Sequence, residues 1–174
     1  MTFTSLQPLR LVSAAAAAAC ALVLAAPAFA SYPDNTGGAR LRDSAFETGF
    51  AVPLHGPFES PFGYRWGRLH AGVDIAVLKT DRVHAALDGV VVKTGYQQSY
   101  GGYGNVIVIR HRPGFVTLYA HLAAIGVRPD ERIVRGELIG RAGCTGSCTG
   151  AHLHFEVRVR GVPVNPERYL PGLR

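Results

Sequence analysis

The segment His152-Leu153-His154-Phe155-Glu156-Val157-Arg158-Val159 alternates polar and apolar residues without a break. Successive side chains of an extended chain point to opposite faces, so a period of two makes this a β-strand. Leu153, Phe155, Val157 and Val159 take one face and His152, His154, Glu156 and Arg158 the other. His152 and His154 therefore point into the same space.

Reading outward from this strand, β-branched and aromatic runs recur between glycines: Val90-Val91-Val92, Val106-Ile107-Val108-Ile109, Phe115 to Tyr119, and Ile133-Val134. Such residues fit a pleated, half-buried surface. Arg112-Pro113-Gly114 lies between the run ending at His111 and the run ending at His121, a turn signal that makes the two a hairpin. No helix-period segment of useful length appears after residue 30. The expectation is an all-β, compact antiparallel domain, sandwich-like, over residues 54–165, followed by a short tail at 166–174. Residues 31–53, rich in small and polar residues and without a period, read as an arm leading into it.

The first thirty residues are compositionally separate. One basic residue, Arg10, precedes an apolar, alanine-rich stretch from Leu11 through Ala26, and Ala28-Phe29-Ala30 supplies the small residues of a cleavage site. Residues 1–30 therefore read as a signal peptide. A membrane anchor would need about 20 apolar residues to span, and lipid attachment at Cys20 lacks the usual upstream leucine. Export implies a secreted, periplasmic or wall location with no stable membrane insertion after cleavage. The chain has 174 residues and a formal charge of +6, enough for one domain with a real core. The basic residues are almost all arginine and are spread along the chain, which argues against a nucleic-acid groove. On an exported protein they suit an anionic wall polymer or lipid head groups, and a monomer is expected.

After loss of Cys20 with the signal peptide, Cys144 and Cys148 remain as a pair. In an exported protein this reads as a disulfide. A C-x3-C metal site is the alternative, and it would need two further soft ligands.

His70-Ala71-Gly72-Val73-Asp74 offers an imidazole and a carboxylate four residues apart, and His152-Leu153-His154 two imidazoles on one strand face. A catalytic zinc site uses three such ligands and leaves one position open. Gly72 would let the backbone bend toward a shared ion. With seven histidines in the chain, either spacing arises by accident in roughly a quarter of sequences of this composition, so neither decides a function alone.

The flanking residues are more specific. Ser60-Pro61-Phe62-Gly63-Tyr64-Arg65, His70-x-Gly72-x-Asp74-Ile75-Ala76, Leu118-Tyr119-Ala120-His121-Leu122 and Gly143-x-Thr145-Gly146-x-x-Thr149-Gly150-x-His152-Leu153-His154-Phe155-Glu156 occur in this order. The string resembles the lysostaphin-type (LytM-like) zinc endopeptidases, a family of peptidoglycan hydrolases, over about residues 54–165. The resemblance implies one zinc ion per chain held by His70, Asp74 and His154, with His121 and His152 as the non-ligand catalytic pair. It also implies an antiparallel fold with a narrow groove, and peptidoglycan peptides as substrate. Members that have lost ligands act as wall-binding regulators or amidase activators, and that is the alternative function. Cys144 and Cys148 depart from the family, whose members tend to carry small polar residues there.

Among other residues, Arg65 and Tyr119 are candidates for substrate contact near the groove. Glu156 is read as marking a solvated strand end. His55 and His84 are read as structural, and His111 as a hydrogen-bonding residue behind the hairpin. Asp34 and Asn35 of the arm are candidates to fold back on the open metal position.

Overall fold

The computed structural model describes residues 49–170. Residues 1–30, expected to be a signal peptide, the expected arm residues Asp34 and Asn35, and residues 171–174 lie outside them. Thirteen strands run in chain order as β1 Phe58–Ser60, β2 Gly63–Arg65, β3 Arg68–His70, β4 Val73–Ala76, β5 Arg82–His84, β6 Gly89–Tyr96 and β7 Asn105–Arg112. They continue as β8 Phe115–Ala120, β9 Leu122–Ile125, β10 Arg132–Ile133, β11 Leu138–Ala142, β12 His152–Val159 and β13 Val162–Val164. Among the described residues the helical elements are two single 3-10 turns, at Gln98–Tyr100 and Pro166–Arg168.

Eight strands form one antiparallel sheet in the order β1-β4-β12-β8-β7-β6-β10, with β13 pairing the second half of β12. A three-stranded sheet runs β5-β11-β9, and β2 and β3 make a separate hairpin. The expected hairpin is the β7–β8 pair, its ladder running from Ile107 opposite Tyr119 to Arg112 opposite Phe115.

The alternation read from β12 is reproduced in space. Leu153, Phe155 and Val157 join the main core with Val73, Ile75, Ile107, Ile109 and Tyr119, and the three-stranded sheet adds Val83, Leu122 and Ile139 to the same cluster. Phe50 and Leu170 close that core, with the Phe50 ring 5.1 Å from Tyr169 and 6.1 Å from Phe115. The opposite face of β7 and β8 buries a second cluster of Val106, Val108, Leu118 and Ala120. The two middle strands are thus apolar on both faces, and β12 carries its polar face beside the second cluster.

Candidate metal centre and catalytic groove

Strand pairing sets two of the three metal-ligating candidates. In the β4–β12 ladder Asp74 stands opposite His154 and Ala76 opposite His152. On the other side of β12, His154 is opposite Ala120 of β8, which is fully buried in the second cluster. Side chains directly opposite in an antiparallel pair have Cβ atoms about 5 Å apart, so Asp74 and His154 meet without any bend of the chain.

His70 arrives differently. It ends β3, in a hairpin apart from the large sheet, and the H-x3-D spacing spans the passage from that hairpin into β4. Gly72 is required there for close approach: a Cβ at this position would lie 2.3 Å from the Phe155 carbonyl oxygen and 2.9 Å from Glu156 Cγ. The glycine lets the connection lie against β12.

Three donor atoms converge. His70 Nε2 is 3.0 Å from Asp74 Oδ1 and 3.1 Å from His154 Nδ1, and Asp74 Oδ1 is 2.8 Å from His154 Nδ1. The far nitrogens fix the tautomers. His70 Nδ1–H donates to the Pro61 carbonyl at 2.7 Å, and His154 Nε2–H donates to Glu156 Oε1 at 3.1 Å. With those protons committed, two imidazole lone pairs and a carboxylate oxygen face one point, an arrangement that calls for a cation. Electrostatics agree. Burial opposes ionisation of Asp74, but its contacts with the His154 and His70 imidazoles outweigh it and hold the carboxyl well below its ordinary range. Burial likewise opposes charge on His154, yet Asp74 and Glu156 together push its pKa upward. Two nitrogens and one carboxylate oxygen are a zinc-type donor set, and the residues fit the ion that the sequence implied.

Glu156 is not a solvated strand end. It is fully buried, and its carboxylate accepts from His154, from Tyr103 Oη–H at 2.5 Å and from Arg158 Nε–H at 2.5 Å. Burial works against its charge, and the bonds to His154 and Arg158 prevail and lower its pKa. Its place on the His154 face was readable from the alternation. The cover supplied by Tyr103 was not, because that residue comes from a loop 53 positions away. A carboxylate behind a ligating imidazole fixes ring orientation and raises ligand basicity. The Tyr103 ring also lies 5.0 Å from that of His154.

His121 and His152 stand beside this centre with their rings 4.6 Å apart. Each donates Nδ1–H to a backbone carbonyl at 2.8 Å, His121 to Thr145 and His152 to Gly150. In the neutral ring this tautomer leaves Nε2 as the acceptor, directed to the groove side. His152 Nε2 is 3.9 Å from Asp74 Oδ1. His121 occupies the left-handed region at φ 59°, where the chain leaves β8 of the large sheet for β9 of the small one. That conformation costs a non-glycine residue about 1 kcal/mol or more and is commonest at functional positions. Burial pushes the His121 pKa down, which favours the neutral ring.

An open groove contains all five residues and is walled by Arg65, Trp66 and Leu69 of the hairpin, Leu78, Tyr103 and the Ser147–Gly150 segment. Arg65 donates to Ser60 Oγ and lies 3.5 Å from Asp74 Oδ2. Tyr119 is absent from the groove. It points to the opposite face, fully buried, with its hydroxyl bonded to the Ala86 N–H at 2.8 Å and to Thr117. Its odd position in β8 sends it into the core, which overturns the expectation of substrate contact. His111 continues that buried chain through Thr117 Oγ1 at 2.8 Å and the Asp88 carbonyl at 2.7 Å.

Comparison with known proteins agrees with the geometry. Residues 68–166 match peptidase family M23. The DD-carboxypeptidase/endopeptidase Mpg of Neisseria meningitidis serogroup B is 47% identical over 114 residues, 62% of this chain and 25% of that protein. The murein hydrolase activator NlpD of Escherichia coli is 39% identical over 119 residues, 68% of this chain and 30% of that protein. The chain thus spans only a quarter to a third of these curated relatives. The catalytic domain of lysostaphin from Staphylococcus simulans superposes with a TM-score of 0.59 at 29% identity, covering 66% of this chain and 91% of that one. A matched stretch of more than half the chain and a shared antiparallel fold make this protein a member of peptidase family M23, the lysostaphin-type peptidases.

Proposed function

We propose that this chain is an exported zinc endopeptidase that hydrolyses peptide cross-links or stem peptides of bacterial peptidoglycan. The observation that carries the reading is the convergence of His70 Nε2, Asp74 Oδ1 and His154 Nδ1 on one point, beside two imidazoles that each present a free Nε2. His70, Asp74 and His154 would hold the ion. When bound, zinc supplies an activated water near neutral pH and polarises the scissile carbonyl.

The remaining work falls to the chain's own residues. The carbonyls of Thr145 and Gly150 hold His121 and His152 in the tautomer with Nε2 as acceptor. One of the pair accepts the proton of the attacking water at Nε2, and the resulting imidazolium can return it to the leaving amine. The other, once protonated, stabilises the developing oxyanion. Imidazole chemistry suits both roles, since the neutral ring accepts a proton at Nε2 and the protonated ring donates from it. The groove positions an extended peptide across these groups.

A regulator built on the same fold is the competing function, motivated by the 39% identity to a murein hydrolase activator. The presence of all five positions in working geometry favours the enzyme. The deciding experiment is mass analysis of fragments released from purified peptidoglycan, with and without a chelator. Chelator-sensitive release of fragments with new amino and carboxyl termini supports hydrolysis. Intact peptide bonds in the presence of zinc-loaded protein would transfer the case to the regulator.

A further inference from the structure

The loop between β11 and β12 supplies the carbonyls that orient both imidazoles, Thr145 for His121 and Gly150 for His152, each at 2.8 Å. Its two halves are fixed very differently. In the first half, Thr145 Oγ1 accepts from the Asn105 N–H at 3.0 Å and donates to the Leu122 carbonyl at 2.9 Å. The Ser147 N–H donates to the Gly102 carbonyl at 2.7 Å. Gly146, at φ 76°, sits so tightly on the neighbouring loop that a Cβ there would be 2.3 Å from the Gly104 nitrogen.

The second half, Cys148-Thr149-Gly150, has no such moorings. Among the described residues its only hydrogen bond is the one Gly150 accepts from the His152 ring. Thr149 and Gly150 are exposed, and anchoring resumes at Ala151, whose carbonyl accepts from the Val77 N–H at 3.1 Å. What ties this half to the fixed half is the Cys144–Cys148 disulfide, with Cα atoms 5.5 Å apart.

We propose that the Cys144–Cys148 disulfide is a positioning device for His152, holding the Gly150 carbonyl where it fixes the imidazole with Nε2 toward the groove. The inference deepens the endopeptidase reading and rests on it for the role of His152. Its effect is one-sided, because the Thr145 carbonyl that holds His121 is anchored independently of the bridge. Reduction by a phosphine breaks the S–S bond, gives two thiols with protons taken from water, and converts the phosphine to its oxide. The Cys148–Gly150 segment is then released, and His152 loses its fixed tautomer while His121 and the metal ligands keep theirs.

Proton-detected NMR of the ring nitrogens in the zinc-loaded protein tests this directly, together with peptide hydrolysis kinetics. The oxidised protein should show a protected Nδ1–H signal for both His121 and His152. In the reduced protein, and in the Cys144→Ser/Cys148→Ser variant, the His152 signal should exchange at least tenfold faster, with the His121 signal and zinc content unchanged. Hydrolysis should lose about tenfold in kcat, with KM within twofold, as expected for a misplaced catalytic group. An unchanged His152 signal after reduction overturns the proposal, and so does equal loss of both signals, which would mean that the whole loop depends on the bridge. The ring signals require no turnover, so a protein that responds in this way yet cleaves nothing would refute the endopeptidase reading and leave the positioning intact.

Discussion

Asp74 and His154 are direct partners across the β4–β12 ladder, with Asp74 Oδ1 2.8 Å from His154 Nδ1. Two of the three proposed ligands are therefore placed by backbone hydrogen bonds of a central sheet, and the third is brought to them by the connection from the β2–β3 hairpin. The rigid half of the site should tolerate little, and the connection should control whether the third ligand arrives.

Gly72→Ala tests that connection. A methyl 2.3 Å from the Phe155 carbonyl oxygen must push the segment off β12, at a cost of about 1–3 kcal/mol. Because the same segment carries His70 to Asp74, zinc affinity should fall as well. Urea unfolding and chelator competition on the variant measure the two effects; parental values in both would show that the contact relaxes without consequence.

Glu156→Gln tests the buried carboxylate behind His154. The amide keeps the shape and loses the charge that accepts His154 Nε2–H at 3.1 Å. Zinc affinity should drop about 10- to 100-fold, the usual effect of altering a partner behind a metal-ligating histidine. Titration against a zinc-binding dye checks it. Affinity within twofold of the parent would mean that Asp74 and the ladder alone orient the ring.

His111 gives a pH dependence separate from the site. Burial lowers its pKa from 6.5 to about 4, against the opposing hydrogen bond to Asp88. Between those values the unfolded chain binds a proton that the folded chain refuses, so stability falls as pH falls through this window. The loss should be on the order of 3 kcal/mol, complete below about pH 4. Urea unfolding from pH 7 to pH 4 should show this slope in the parent and a shallower one in His111→Gln. Equal slopes would place the ring's protonation elsewhere.

Much of this was legible in the sequence for a physical reason. A strand's side-chain period is two, so β12 disclosed its own two faces, and the turn at Arg112-Pro113-Gly114 disclosed the β7–β8 pairing. The five site positions came from flanking residues that resemble the family, because spacing alone could not show that Asp74 and His154, 80 positions apart, are ladder partners. The failures share one cause. Glu156 was assigned to water and Tyr119 to the groove because each depends on what another element lays over it: Tyr103 covers the first, and the main core takes the second. A period tells which residues share a face, but not which face is covered.

The central claim is that His70, Asp74 and His154 hold zinc for a cleavage assisted by His121 and His152. The most direct test is zinc content measured together with fragment release from peptidoglycan, for the parent, His70→Ala and His121→Ala. The account predicts one zinc per chain and release in the parent, zinc without release in His121→Ala, and neither in His70→Ala. Full zinc content in His70→Ala, or undiminished release by His121→Ala, would contradict it.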